Sequence, residues 1–259
     1  PRGFFESSLV SGIYHATNPH PETGDYLAPA QTRGHVVKVF IPGLIRSDVA
    51  FLDRVIATVR PVREVATSTA RLTELVADAR GLDPDSVGGI DGGGIHERGV
   101  GGIPGGIGGG VRRIDEGLDD ELGPALRWWL ETFSLVRDVA TRGYPAHVTT
   151  YDRLLRDPLR EVRVVTDWLG TGNPRAGAAA VDPSLRTVSA SDAPLPIEPR
   201  HLAVFDELYA HLDEGRALSP SFVARLNTTD QELRPALQAA HARVRTTVAA
   251  RLAQEAIRP

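Results

Sequence analysis

Arg60 and Ser68 are the residues whose types and spacing most directly suggest chemistry. Arg60 ends the β-branched stretch of residues 54–60, and Ser68 lies eight residues later in a stretch with helical periodicity that begins after Pro61. At the carboxyl end of a parallel strand, an arginine side chain and the N-terminal N–H groups of the next helix face the same crevice. The paired N–H groups of a guanidinium and a nearby hydroxyl can together donate hydrogen bonds to a phosphate monoester. The alternative is a solvated arginine and a serine bonded to its own helix.

Lys38 is the second candidate, because it is the only lysine of the sequence and lies in the apolar stretch of residues 35–41. An ammonium group inside the strand of a covered sheet is costly unless it reaches a pocket or an anion. We therefore predict a strand over residues 35–41 in which Lys38 contacts an anionic group. The alternative is a lysine whose ammonium reaches solvent beyond the end of the strand.

The composition argues against several classes of protein. The 259 residues carry a net charge of −4, which disfavours general nucleic-acid binding because phosphate contacts require a basic surplus. The sequence has no cysteine, so disulfides and thiolate metal sites are excluded. No stretch approaches the roughly 20 consecutive apolar residues of a membrane-spanning helix. We expect a soluble cytoplasmic protein with no nucleic-acid partner and no membrane span.

The hydrophobic periodicity predicts an α/β protein with a parallel β-sheet flanked by helices. Strands are predicted over residues 35–41, 54–60 and 145–151. The helices are predicted over residues 62–79, 119–143, 152–170, 199–215 and 230–257, with Gly170 as the C-cap of the third.

The predicted organisation is an α/β core over residues 1–190 and a helical C-terminal extension over residues 191–259 that packs on the core. A glycine-rich insertion over residues 81–117 interrupts the core. This insertion offers too little apolar surface to offset the entropy of ordering it. We expect a mobile surface loop, and the alternative is a lid over substrate.

Several stretches, taken in order, resemble the bacterial sulfotransferases that use 3'-phosphoadenosine 5'-phosphosulfate (PAPS). TVRPVREVATS resembles their 3'-phosphate motif, HVVKVFIPGL their lysine-bearing strand, and YDRLLRDPLREVRVVTDWLG their YExLLxDPxxxVxxVxxFLG segment. PRGFFES and VDPSLRTV resemble two further stretches of the same enzymes. The resemblance covers roughly residues 1–190 and implies a P-loop-like sulfotransferase fold in which Arg60 and Ser68 bind the 3'-phosphate.

The resemblance also implies roles for other residues. Lys38 would contact the bridging oxygen or the transferred group, and Arg63 and Arg186 would add positive charge around the nucleotide. Many members carry a histidine two residues after the lysine, where this chain has Phe40. Glu6 follows two aromatic residues that could desolvate it, so it is the candidate general base, unless it is only a first-turn acid favoured by the helix dipole. Other candidates for the base are His15, His20 and His35.

One motif of the family has no counterpart in the sequence. The glycine-rich PRSGTS-like loop that binds the 5'-phosphosulfate is absent. Because Pro1 aligns just past that loop, we expect the loop to be encoded upstream of Pro1.

The function predicted on this basis is transfer of a sulfuryl group from PAPS to a hydroxyl or amine of a small-molecule or saccharide acceptor, without a metal. One alternative is a P-loop kinase of a small molecule, which the absence of a GxxxxGK[ST] motif disfavours. Another is a degenerate, non-catalytic nucleotide-binding or interaction protein. The identity of the acceptor is open, and a homodimer is compatible with the sequence.

Overall fold

The computed structural model describes residues 28–34, 36, 38–80, 108–188 and 194–257. Among these residues, strand β1 spans Val55–Val59 and strand β2 spans Ala146–Thr150. The α-helices are α1 (Ile41–Arg46), α2 (Val62–Arg80), α3 (Gly108–Arg142), α4 (Tyr151–Arg156), α5 (Pro158–Leu169), α6 (Pro174–Ala179), α7 (Pro199–Glu214) and α8 (Pro220–Ile257). Short 3-10 helices occupy Pro29–Thr32, Val49–Phe51 and Pro183–Leu185.

The two strands form a parallel pair, in which Val55 is aligned with Ala146 and Val59 with Thr150. Both strands follow the predicted β-branched stretches, and helix α2 follows β1 after a two-residue turn, as predicted. The described part of the chain is thus mostly helical with a small parallel sheet, which confirms the α/β class. The P-loop-like sulfotransferase arrangement of that class stays a prediction.

The predicted strand over residues 35–41 is wrong for its described part. Lys38 to Phe40 have no regular secondary structure, and helix α1 begins at Ile41. Pro42 lies in the first turn of α1, where the missing N–H of proline has no hydrogen bond to lose. The apolar residues around Lys38 therefore lead into a helix, whereas His35 and Val37 lie outside the described residues.

Other boundaries also change. Residues 108–117, predicted to be part of the glycine-rich loop, are the first residues of α3, while residues 81–107 lie outside the described residues. Helix α3 is kinked at Gly123, whose φ of 65° and ψ of 161° are not helical, so the predicted helix over residues 119–143 is interrupted there, just before Pro124. The predicted helix over residues 152–170 is two helices, because Pro158 has no N–H and Asp157 caps α5 by accepting from the N–H of Arg160. Gly170 ends α5 with a φ of 73°, as predicted.

Helix α8 begins ten residues before the predicted start, at Pro220. The hydroxyl oxygen of Ser219 accepts a hydrogen bond of 3.2 Å from the N–H of Phe222. A serine cap followed by proline at the first helical position is a strong helix start. These local signals extend the helix well beyond its most obviously periodic part.

The chain divides into two compact units, residues 1–59 with 130–183 and residues 60–129 with 184–259. The first unit contains both strands and helices α1, α4, α5 and α6. The second contains α2, α7 and α8, and α3 contributes residues to both. The predicted boundary at residue 190 stays a prediction.

In the first unit, Arg142 at the end of α3 holds the C-terminal end of α1. Its Nη1 donates to the carbonyl oxygen of Ile45 at 3.1 Å, and its Nη2 donates to that of Ser47 at 2.5 Å. A helix leaves its last carbonyl groups without an internal partner. Arg142 therefore satisfies acceptors that α1 cannot satisfy, and its own charge is balanced by Asp138 at 3.2 Å.

The same unit contains a buried carboxylate, that of Glu161 on α5. Arg153 donates to one of its oxygens from Nε at 3.1 Å and from Nη2 at 2.9 Å, and Nε2 of His147 lies 3.3 Å from the other. Burial raises the pKa of Glu161, but hydrogen bonds from Thr149, His147 and Arg153 and the charge of Arg153 lower it by more. The net pKa is therefore below its ordinary value.

The core of the second unit is built around aromatic rings. Trp128 and Trp129 of α3 are buried and stack on Phe205 of α7, with ring centroids 5.5 and 4.8 Å apart. Helix α8 contributes residues spaced four or three apart, which places them on one face of the helix. These buried residues are Phe222, Leu226, Thr229, Leu233, Leu237, Ala240 and Val244.

Candidate functional site

The candidate site is the turn after β1 together with the first half of α2. Helical hydrogen bonding begins at Pro61, whose carbonyl oxygen accepts from the N–H of Val65 at 3.1 Å. The backbone just before it is also fixed, because Nε1 of the buried Trp128 donates to the carbonyl oxygen of Arg60 at 2.7 Å. Arg60 itself is exposed to solvent. The backbone of Arg60 is therefore held at the start of the helix, where the dipole favours negative charge.

Ser68 lies in the second turn of α2 and is half-buried. Val62 and Ala66 are buried and define the face of α2 that packs into the core. Arg63, also half-buried, lies close enough to Asp206 of α7 to affect its ionisation. Partial desolvation raises the pKa of Asp206, and the positive charge of Arg63 opposes that rise. The charge of Arg63 is thus partly balanced by a carboxylate of its own unit.

Residues 184–188, named the strap below, are joined to α2 at two points. Nη2 of Arg186 in the strap forms an ion pair with Oε1 of Glu64 in the first turn of α2. Further along the helix, Nη1 of Arg71 donates to the carbonyl oxygen of Thr187 at 3.0 Å. The strap is therefore tied to α2 through the side chains of Glu64 and Arg71.

The structure assigns four of the predicted residues to one unit. Arg60, Arg63 and Ser68 are within nine residues of sequence, and Arg186 joins them through its ion pair with Glu64. Arg60, Arg63 and Ser68 thus belong to the start of a 19-residue helix or to the residues just before it, and Arg186 is paired with the first turn of that helix. Such a combination can bind an anion that accepts several hydrogen bonds.

The remaining predicted residues are placed differently. Lys38 belongs to the first unit and is exposed, and its Nζ lies 5.8 Å from the centroid of the Phe40 ring. This distance suits a weak cation–π contact. Glu6 and the alternative bases lie outside the described residues; the alternatives are His15, His20 and His35.

Two residues of the site were missed by sequence reasoning, Glu64 and Trp128. An acidic residue in the first turn of a helix is ordinarily explained by the helix dipole, so Glu64 gives no local sign of a partner. That partner, Arg186, is 122 residues away. Trp128 looks like a core residue, which it is, and its hydrogen bond to Arg60 spans 68 residues.

Two classes of feature are absent from the part of the chain that the structure describes. No group of three or more histidine, cysteine or carboxylate side chains there could hold a metal ion. None of the helices in the described ranges combines the length and the hydropathy that crossing a membrane requires.

No protein-family model, curated protein or solved structure matches the chain.

Proposed function

We propose that the protein is a PAPS-dependent sulfotransferase, which transfers a sulfuryl group to a hydroxyl or amine of a small-molecule or saccharide acceptor. The observation that carries this proposal is the arrangement of β1, Arg60, α2 and Ser68. A parallel strand ends at Val59, an exposed arginine follows, and a helix with a half-buried serine in its second turn begins two residues later. This arrangement supports binding of the 3'-phosphate, with the guanidinium and the hydroxyl as donors.

The remaining charges support the same assignment. Arg63 and Arg186 belong to the same unit as Arg60, so a nucleotide with two phosphate groups would meet several cations. In the proposed reaction the acceptor oxygen or nitrogen attacks sulfur as the bond to the bridging oxygen breaks, which releases adenosine 3',5'-bisphosphate. The family resemblance assigns neutralisation of the charge on the bridging oxygen to Lys38 and removal of the acceptor proton to Glu6. We propose a cytoplasmic location for this reaction, and no metal takes part in it.

Calorimetric titration of the full-length chain with adenosine 3',5'-bisphosphate tests the proposal. Arg60→Ala and Ser68→Ala should each weaken binding about tenfold or more, because each removes a hydrogen bond to a charged phosphate. Arg200→Ala and Ser221→Ala are matched controls in the same unit, since both residues are exposed on other helices. They should leave the affinity unchanged.

Two results would contradict the proposal. A folded full-length chain that does not bind the nucleotide would exclude a PAPS-dependent enzyme. Binding that is weakened equally by the site variants and by the control variants would show that the nucleotide is not held at Arg60 and Ser68.

A further inference from the structure

We infer that Glu64 restrains the strap, residues 184–188, against α2 and competes with the anion for Arg186, so that it lowers the affinity of the site for nucleotide. Glu64 is thus a positioning residue that acts through Arg186. This inference rests on the proposed function for the identity of the anion. It rests on the structure alone for the restraint of the strap.

The carboxylate of Glu64 requires a positive partner. Its side chain is only 5% exposed, and a buried carboxylate is unfavourable unless it is paired and hydrogen-bonded. Arg186, whose side chain is 33% exposed, supplies that charge. Because Arg186 remains partly solvated, it can exchange this carboxylate for a phosphate at a lower cost than a fully buried arginine.

The geometry places the strap beside the proposed phosphate donor. Glu64, Ser68 and Arg71 are spaced by four and three residues, which puts them on one face of α2. Arg186 contacts the first of them and the carbonyl oxygen of Thr187 contacts the last. The two points of contact are separated by about 10 Å of helix, with Ser68 between them. The strap is therefore tied by two side chains, those of Glu64 and Arg71, to the face of α2 on which Ser68 lies.

The charge of Glu64 also lowers the affinity of the site for a phosphate. A phosphate monoester carries a charge of about −1.5 to −2 near pH 7. At Ser68 it would be repelled by the Glu64 carboxylate one helical turn away and would compete with that carboxylate for Arg186. Binding of the nucleotide thus requires Arg186 to give up its bond to Glu64, and this exchange reduces the net affinity.

Glu64→Gln tests the restraint, because glutamine keeps the shape of the side chain and removes its charge. The variant should bind adenosine 3',5'-bisphosphate about three- to tenfold more tightly than the wild type. A purely structural role for Glu64 would produce weaker binding or no change. Glu207→Gln is the matched control, since Glu207 also pairs with an arginine of the same unit, Arg225, but at an exposed position. It should leave the affinity unchanged.

Hydrogen exchange separates this inference from the proposed function. Without nucleotide, the amides of the strap should exchange faster in Glu64→Gln than in the wild type, whether or not the wild type binds nucleotide. Arg71→Gln removes the other point of contact from an exposed position, so it should speed exchange of the same amides even if Glu64→Gln proves too unstable to study.

The outcomes are distinct. If the wild type binds the nucleotide and Glu64→Gln binds it equally well or more weakly, the inference is overturned and the sulfotransferase proposal stays intact. Failure of the wild type to bind overturns the proposed function and with it the role of Glu64 in affinity. Unchanged exchange of the strap amides in both variants overturns the restraint itself.

Discussion

Trp128→Phe is the most direct test of how the fold positions Arg60. The variant keeps an aromatic ring next to Phe205, 5.5 Å away in the wild type, and removes the Nε1 group that donates to the carbonyl oxygen of Arg60. Loss of a donor to a partly buried carbonyl costs about 1–2 kcal/mol. The smaller ring also leaves a cavity that costs about 1 kcal/mol more. We therefore expect a total loss of about 2–3 kcal/mol in the free energy of unfolding.

The contribution of the hydrogen bond can be separated from that of the cavity. Trp129→Phe removes the same volume from a ring that also stacks on Phe205 and is at least as buried, but Trp129 does not donate to Arg60. Urea unfolding of both variants, with unchanged m-values, should show Trp128→Phe to be less stable by about 1–2 kcal/mol.

Trp128→Phe should also weaken binding of adenosine 3',5'-bisphosphate more than Trp129→Phe does, because only the former releases the backbone of Arg60. Equal stability of the two variants, within about 0.5 kcal/mol, would refute the reasoning. So would equal affinity for the nucleotide.

Two further predictions concern the first unit. At pH 7, Glu161→Gln should lower the free energy of unfolding by about 2–3 kcal/mol, because it removes the buried carboxylate that pairs with Arg153. The control is Glu198→Gln, which removes an exposed ion pair with Arg200 and should lower the free energy of unfolding by less than about 0.5 kcal/mol. Because the folded-state pKa of Glu161 is lowered, its contribution is present above about pH 4.3 and is lost as the pH falls through the folded pKa. Urea unfolding should therefore show the gap between wild type and Glu161→Gln closing toward pH 3, and a constant gap would contradict this. Gly170→Ala should lower the free energy of unfolding by about 1 kcal/mol in the same assay, because φ is 73°, a conformation that alanine rarely adopts. The added Cβ would meet no atom within 4 Å, so the cost is backbone strain and not a steric clash, and Gly170→Asn should cost less. Equal costs for the two glycine variants would rule out backbone strain as the cause.

The parts of the fold that were predicted correctly are those specified by neighbouring residues. Strand β1 follows from a β-branched run, and the end of α5 follows from a single glycine in the left-handed conformation, Gly170. The wrong strand around Lys38 was also predicted from neighbouring residues alone. A short apolar run is compatible both with a strand and with an extended segment that leads into a helix. Only pairing with a neighbouring strand distinguishes the two, and the sequence pattern does not contain that information.

The candidate site divides in the same way. Arg60 and Ser68 could be proposed together because their spacing within one strand-to-helix connection is set locally. The pairing of Glu64 with Arg186 could not be found, because residues 122 positions apart are brought together only by the packed unit. Sequence reasoning therefore proposed the cations from local spacing and missed the carboxylate that pairs with one of them.

That carboxylate changes the energetics expected of the site. Three arginines collected for one anion would repel one another in the absence of ligand and destabilise the unit. Here Arg186 is paired with Glu64, and Arg63 lies near Asp206, so the ligand-free charge is partly balanced. In the proposed function, the same carboxylates compete with the phosphate for the arginines. That proposal therefore predicts that a substitution of Glu64 which tightens nucleotide binding also lowers the free energy of unfolding.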